Sequence, residues 1–384
     1  MTIQSDAWVL YAGEKGAPAK PTKLVREIFE FSEPGPEECL VSPLFGCMEG
    51  NMKHAVERRP IDLGLARNEP KVVIGNAGVV RVEKAGSAVT TVKDGDIAIL
   101  FCTGIPDKYG YPERIFGYDC PNTVGVLAKQ TRMHQQQLIP IPKDTAYSLE
   151  EWAAFSLRYV TAWSNWELAY GTLRLLLDKE ELPHPEVWGW GGGVSLGQLA
   201  LAKHNGCKVA QIASTDDRLA TIEKLGIRAV DRRNFTDLYY DPKKFRVDES
   251  FTKRYLAAEK TFVDTVTEMT GGDMVNIFID YVGAPVLRPT LKVLARQGVL
   301  TTAGWKEGMK IDLVRASECL ARHQHIHTHY ARYREGVAAV AFAEKHGWLP
   351  PVDPRVYDYD EIPEMFDDYA KDKVGWFPVF RVNN

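Results

Sequence analysis

The ten residues WGWGGGVSLG, at positions 188–197, constrain this chain more than any other stretch. They join a short apolar run, PEVWGWG, to SLGQLALAKHNG, which has a helical period and ends at Gly206. Glycines at a strand-to-helix turn allow a tight bend, close approach of backbone N–H groups to a pyrophosphate, and close packing of helix on strand. A second strand, CKVAQIA, follows, and then a helix, DDRLATIEKLG, closed by Gly226. NIFIDYV, PVLRPTLKVLARQG and VLTTAG continue the series. Strands alternating with helices predict a doubly wound parallel sheet with right-handed crossovers, the Rossmann arrangement. On a GxGxxG frame ending at Gly197, the key positions are Gly192, Val194 and Gly197. Val194 replaces the middle glycine, and Gly193 is expected to absorb the change. Gly192, Gly193, Val194, Ser195 and Leu196 are therefore the candidate pyrophosphate contacts.

The end of the second strand selects the dinucleotide. An acidic residue there binds a ribose 2′-hydroxyl and repels a 2′-phosphate. Here Ser214 and Thr215 come first, with Arg218 one helical turn on. Hydroxyls and a guanidinium suit a phosphate, so the expected cofactor is NADP(H). Asp216 is the counter-argument, because a shift of one residue makes it a ribose partner.

The first 150 residues read differently. ECLVSPLFG, GVVRVEKAGSAVT and DGDIAILF are short alternating runs broken by turns, so this part is expected to be mostly β. At Ser148 the pattern changes, and Glu151 three residues on completes a capping box that opens a helix. At 384 residues the chain suits two domains. The expected division is 1–152, with 335–384 returning to it, and 153–334. DRRNFTDLYYDPKKFRVDESFTKRYL is long and polar for an α/β connection and reads as a surface insertion. A net charge of −4 gives no reason to expect nucleic acid or an anionic membrane as partner. No apolar run approaches the roughly 18 residues of a membrane span. The six cysteines include no CxxC pair, which argues for reduced thiols in a cytoplasm.

These features accumulate into a family likeness. GNAGVVRVEKAGSAVTTVKDGD, with Gly86, Ser87, Val89, Thr90, Lys93, Gly95 and Asp96 in step, resembles the Gly-His-Glu to Gly-Asp run of the medium-chain dehydrogenases/reductases. VTAW sits at the family's hinge motif. Within the family, WGGGVSLG, RIFGYDCPNTVGVLAKQ and HTHYA resemble the crotonyl-CoA carboxylase/reductases. The resemblance implies a GroES-like catalytic domain, a Rossmann domain and substrate between them. It also implies cofactor contacts from Thr161, Val282, Gly283, Gly304 and Trp305, and it puts His329 on the subfamily's active-site histidine. Asp119 falls on a glutamate position of that subfamily, although an ordinary turn acid reads equally well there. Asn51, His54 and Tyr159 are expected near the substrate cleft, where each reads as a supporting or structural residue rather than a catalytic one.

The family's catalytic zinc needs Cys, His, Glu and a further Cys or Asp. This chain has Met48, Asn76, Ala77 and Leu157 at those positions, with Cys47 one residue early. That set cannot build a site of thiolate, imidazole and carboxylate. No metal is expected, and alcohol oxidation gives way to hydride delivery onto a C=C conjugated to a carbonyl. The resemblance thus implies an NADPH-dependent reductase of a 2-enoyl thioester. Reductive carboxylation, quinone or enone reduction, and a cofactor-binding protein without turnover are its alternatives. The asparagine that helps hold CO2 in the carboxylating enzymes has no counterpart beside Met48. HQHIHTHY sets His323, His325, His327 and His329 two apart, which on one strand puts all four on one side. They read as a metal site or as a polar surface with only His329 reaching substrate. A homodimer formed through a Rossmann edge strand is a further expectation from the family.

Overall fold

The computed structural model describes residues 2–303 and 312–384. The expected contacts from Gly304 and Trp305 lie outside the described residues. The chain divides into two compact units, Met1–Val160 with Ala331–Asn384, and Thr161–Tyr330. One helix, Leu149–Leu176, runs through the junction, with Tyr159 on one side of the division and Thr161 on the other. Its capping box forms as the sequence predicts. Ser148 N–H donates to the Glu151 carboxylate at 2.8 Å, and Glu151 N–H donates to Ser148 Oγ at 3.2 Å.

The first unit is built around the strand Glu38–Cys47. It pairs antiparallel with Gly78–Ala85, Thr131–His134 and Val379–Arg381. The last pairing sets Val379 opposite Cys47, so the C-terminal strand completes this sheet. Alternation buries Val41, Val80, Val82, Ala98 and Leu100 together on the core face.

The second unit holds a sheet of six parallel strands among the described residues. Its order is Arg228–Asp231, Lys208–Ala213, Glu186–Trp190, Val275–Asp280, Leu294–Thr301 and His325–His327. The reversal of strand order lies between Glu186–Trp190 and Val275–Asp280, where doubly wound sheets bind dinucleotides. The central strands carry continuous apolar runs because helices cover both faces, and Val187, Trp188, Ile277, Phe278 and Ile279 are fully buried.

Two expectations need correction here. The polar stretch read as a surface insertion contributes to the core: Phe235, Leu238 and Tyr255 are buried. Its end belongs to the helix Glu249–Thr270, capped by Asp248, which accepts from Phe251 N–H at 2.9 Å. Tyr255, Glu259, Phe262 and Val266 recur every three or four residues and form its buried face, a stripe too sparse to show in overall composition. The histidines do not form one continuous strand either. Only His325–His327 is a strand, because His323 adopts a positive φ of 51° and breaks it. No helix among the described residues is long and apolar enough to cross a membrane.

Candidate cofactor site and active site

At the end of Glu186–Trp190 the chain turns through Gly191, whose φ is 104°. Gly189 is needed for packing, because a Cβ there would lie 2.2 Å from Ser195 Oγ. The frame that began at Gly192 missed both residues, although the alternation WGWG was the available signal. Gly192 is the N-cap of the helix Gly193–His204, and its carbonyl accepts from Leu196 N–H at 3.1 Å. Gly193, Val194 and Ser195 therefore supply the first-turn amides that lack an intrahelical acceptor. Ser195 and Leu196 are fully buried, and the Ser195 hydroxyl has no hydrogen-bond partner among the described residues. The Ser195 side chain packs against Gly189 of the sheet, which leaves its backbone amide for a ligand.

Across the sheet, Asp280 shapes a second turn. Its Oδ1 accepts from Val282 N–H at 2.8 Å and from Gly283 N–H at 3.0 Å, and burial pushes its carboxyl up to about 6. Gly283, with φ 101°, then caps the helix Ala284–Val293. An Asp two residues before Val-Gly was the sequence signal for this turn, and the sequence reading passed over it.

Lys208–Ala213 ends just before Ser214 and Thr215, both exposed, and Thr215 is the N-cap of the helix Asp216–Lys224. Arg218 lies half-buried in its first turn. Asp216 does not stand alone: Arg233 reaches it at 2.6 Å and Asp231 at 2.7 Å. The acid that argued for a free ribose is thus paired with a second guanidinium, which the sequence reading did not name. First-turn amides, two hydroxyls and Arg218 form a donor set that fits a dinucleotide bearing a 2′-phosphate, with Arg233 holding Asp216 and Asp231 beside it.

His329 follows the edge strand. Its carbonyl and that of Thr161 both accept from the amide of Asn165, at 2.7 and 3.0 Å. The second unit therefore brings together two of the expected site residues through a third that was not expected.

In the first unit, hydrogen bonds gather the segments carrying the four metal positions. Cys47 N–H donates to the Ala77 carbonyl at 3.2 Å, and Gly78 N–H donates to Ser156 Oγ at 2.8 Å. Arg158 donates to Glu49 at 2.8 Å, to the Trp376 carbonyl at 2.6 Å and to the Met48 carbonyl. Both members of the ion pair are buried, and desolvation raises the Glu49 carboxyl despite Arg158 beside it. Asn76 is 1% exposed, and neither end of its amide has a partner among the described residues.

Comparison with known proteins fixes the fold. Residues 193–345 match the sequence profile of the zinc-binding dehydrogenase family. The crotonyl-CoA reductase of Streptomyces avermitilis is 24% identical across 98% of this chain and 86% of that protein. The crotonyl-CoA carboxylase/reductase AntE, solved with NADP, superposes with a TM-score of 0.81 at 20% identity, covering 98% of this chain and 94% of that one. The 2-octenoyl-CoA carboxylase reductase CinF, solved with NADP and 2-octenoyl-CoA, gives 0.80 at 20% identity over 98% and 87%. The fold is that of the medium-chain dehydrogenases/reductases.

Within a medium-chain dehydrogenase/reductase fold, Met48, Asn76, Ala77 and Leu157 are a poor set for zinc. They offer a thioether and an amide where a thiolate, an imidazole and a carboxylate are needed. The nearby carboxylate of Glu49 is already held by Arg158. No group of three or more His, Cys, Asp or Glu able to hold a metal occurs among the described residues. Other expected site residues are engaged locally. Asp119 accepts from Ile115 N–H at 2.7 Å and from Arg114 at 3.3 Å, as a turn acid does. Tyr159 is fully buried among Phe155, Trp348 and Phe377, with ring centroids 5.7, 4.7 and 5.8 Å away. Asn51, in the helix Gly50–Glu57, has a buried Oδ1 without a hydrogen-bond partner among the described residues.

Proposed function

We propose that this chain is a zinc-independent, NADPH-dependent medium-chain reductase acting on the C=C of a 2-enoyl thioester. The observation that carries this reading is the pairing of a 2′-phosphate-type dinucleotide loop with metal positions filled by Met48, Asn76, Ala77 and Leu157. Relatives named for crotonyl-CoA and 2-octenoyl-CoA, two of them crystallised with NADP, support it. Without a Lewis acid an alcohol has nothing to ionise it, whereas an enoyl thioester is already activated.

When bound, NADPH would supply the hydride that the β-carbon accepts. The amides of Gly193, Val194 and Ser195 hold the pyrophosphate, and Ser214, Thr215 and Arg218 hold the 2′-phosphate. The turn at Val282 and Gly283, with Thr161 on the hinge helix, positions the nicotinamide. Hydride addition leaves an enolate, and a proton must reach its α-carbon. His329 donates that proton or orients the thioester for it. Asn51 offers a buried amide oxygen to substrate, while Asp119 and Tyr159 serve the scaffold. The product is the saturated thioester rather than a carboxylated one, because the CO2-holding asparagine has no counterpart beside Met48. The protein works as a homodimer paired through His325–His327, and its free, scattered cysteines support a reducing cytoplasm as its location.

The test is NADPH oxidation with crotonyl-CoA, a carrier-bound enoyl group and a free enone, each with and without bicarbonate. Turnover with the thioesters supports the reading. Turnover with the free enone alone makes the chain an enone reductase, and no turnover with any substrate makes it a binding protein.

A further inference from the structure

The hinge helix carries one buried amide to which the reaction above gives no part. Asn165 is fully buried, one helical turn beyond Thr161. Its Nδ2 group donates to the Thr161 carbonyl and to the His329 carbonyl, and its Oδ1 accepts from Thr301 Oγ1 at 3.3 Å. Two carbonyl acceptors settle which end of the amide is nitrogen. An apolar residue would suit a buried helical position better if packing were all it required, because asparagine is a weaker helix former and its amide is costly to desolvate. Here that cost is offset by three hydrogen bonds to three separate elements. They are the hinge helix, the end of the strand Leu294–Thr301, and the segment that follows the edge strand. The neighbouring residues are held too: Thr302 N–H donates to the His327 carbonyl at 3.1 Å, and Thr328 Oγ1 donates to the Thr302 carbonyl. At His329 itself, Asn165 donates to the backbone carbonyl.

We propose that Asn165 is a positioning residue that fixes the backbone at His329, and so the aim of its imidazole, against Thr161 and the end of Leu294–Thr301. This rests on the reading of His329 given above. A fully satisfied buried network has one low-energy arrangement, which is what a group that must meet a transient enolate needs. Loss of the amide removes its bonds to two part-buried carbonyls and a buried hydroxyl, and with them one hold on the peptide at His329.

The test uses the full-length protein with NADPH and crotonyl-CoA. Asn165→Leu should lower kcat by about 10- to 100-fold, the scale of a small misplacement of a reacting group, with KM for NADPH within about twofold. Asn165→Ser, able to donate to one carbonyl, should lose less, and Thr301→Val, which leaves both carbonyl bonds in place, less again. In a His329→Ala background, Asn165→Leu should change kcat by less than about twofold, because the two residues act as one unit. An equal loss in both backgrounds overturns the proposal, leaving the amide a packing role. Should Asn165→Leu fail to fold, Asn165→Ser decides between the same outcomes. A second readout is nitrogen NMR of histidine-labelled, NADP-loaded protein. Asn165→Ser should move the His329 signals and leave those of His134 and His204 in place, and an unmoved His329 overturns the proposal. If His329→Ala keeps full turnover, the role given to His329 fails, and the NMR result alone decides that of Asn165.

Discussion

At Arg158 a single guanidinium meets three acceptors from two parts of the first unit: Glu49 and the Met48 carbonyl on one segment, and the Trp376 carbonyl on another. Removing one partner of a buried pair leaves an uncompensated charge, so Arg158→Met is expected to destabilise the protein by about 3–5 kcal/mol in urea unfolding. Glu49→Gln, which keeps an acceptor for the guanidinium, should cost less. Metal analysis of the purified protein is expected to find no stoichiometric zinc, and about one zinc per chain with activity lost to chelators would contradict the assignment. Arg218→Ala should weaken NADPH binding by about 1–3 kcal/mol and leave NADH nearly unchanged, as titration calorimetry can measure. Equal weakening of both cofactors would mean that Arg218 does not read the 2′-phosphate. Ser214, Thr215 and Arg218 were legible in the sequence because they follow one strand directly. Arg233, Arg158 and Asn165 were not, since the partners that tie them to the site, Asp216, Glu49 and His329, lie 17, 109 and 164 residues away. Such pairs exist only once the chain has folded.

Elements with a local cause could be read in advance. The capping box at Ser148 and Glu151 and the glycine turn after Glu186–Trp190 depend on neighbours within a few residues. The helix Glu249–Thr270 was hidden by its own composition, and the histidine run by the positive φ at His323, which no spacing rule encodes. In the edge strand, burial, together with His329 and His325, lowers His327 to about 4 from an ordinary 6.5. Between those values the unfolded chain binds more protons than the folded one, so this residue's contribution to stability is full above 6.5 and lost as pH falls toward 4. His327→Gln should therefore flatten the acid limb of a plot of melting temperature against pH. An unchanged slope would mean that His327 titrates normally.

At the scale of the whole molecule, the sheet order and the return of the C-terminal strand to Glu38–Cys47 place a dinucleotide-type unit and a β-rich unit on one chain. The alternation of strands and helices foretold the first of these, since each step is a short crossover with a preferred hand. The chemistry depended on which side chains had replaced the metal ligands, and those could be interpreted only against a family pattern. If His325–His327 pairs with a second copy, light scattering should give a dimer mass, and a proline placed at Ile326 should shift it toward the monomer. On the proposed function, hydride delivery to an enoyl thioester ends in protonation, without metal and without carboxylation. Mass analysis of the product from NADPH and crotonyl-CoA in labelled bicarbonate tests it most directly. Butyryl-CoA without label, formed in step with NADPH consumed, is the expected product, and a stoichiometrically labelled 2-carboxyacyl product would show carboxylation instead.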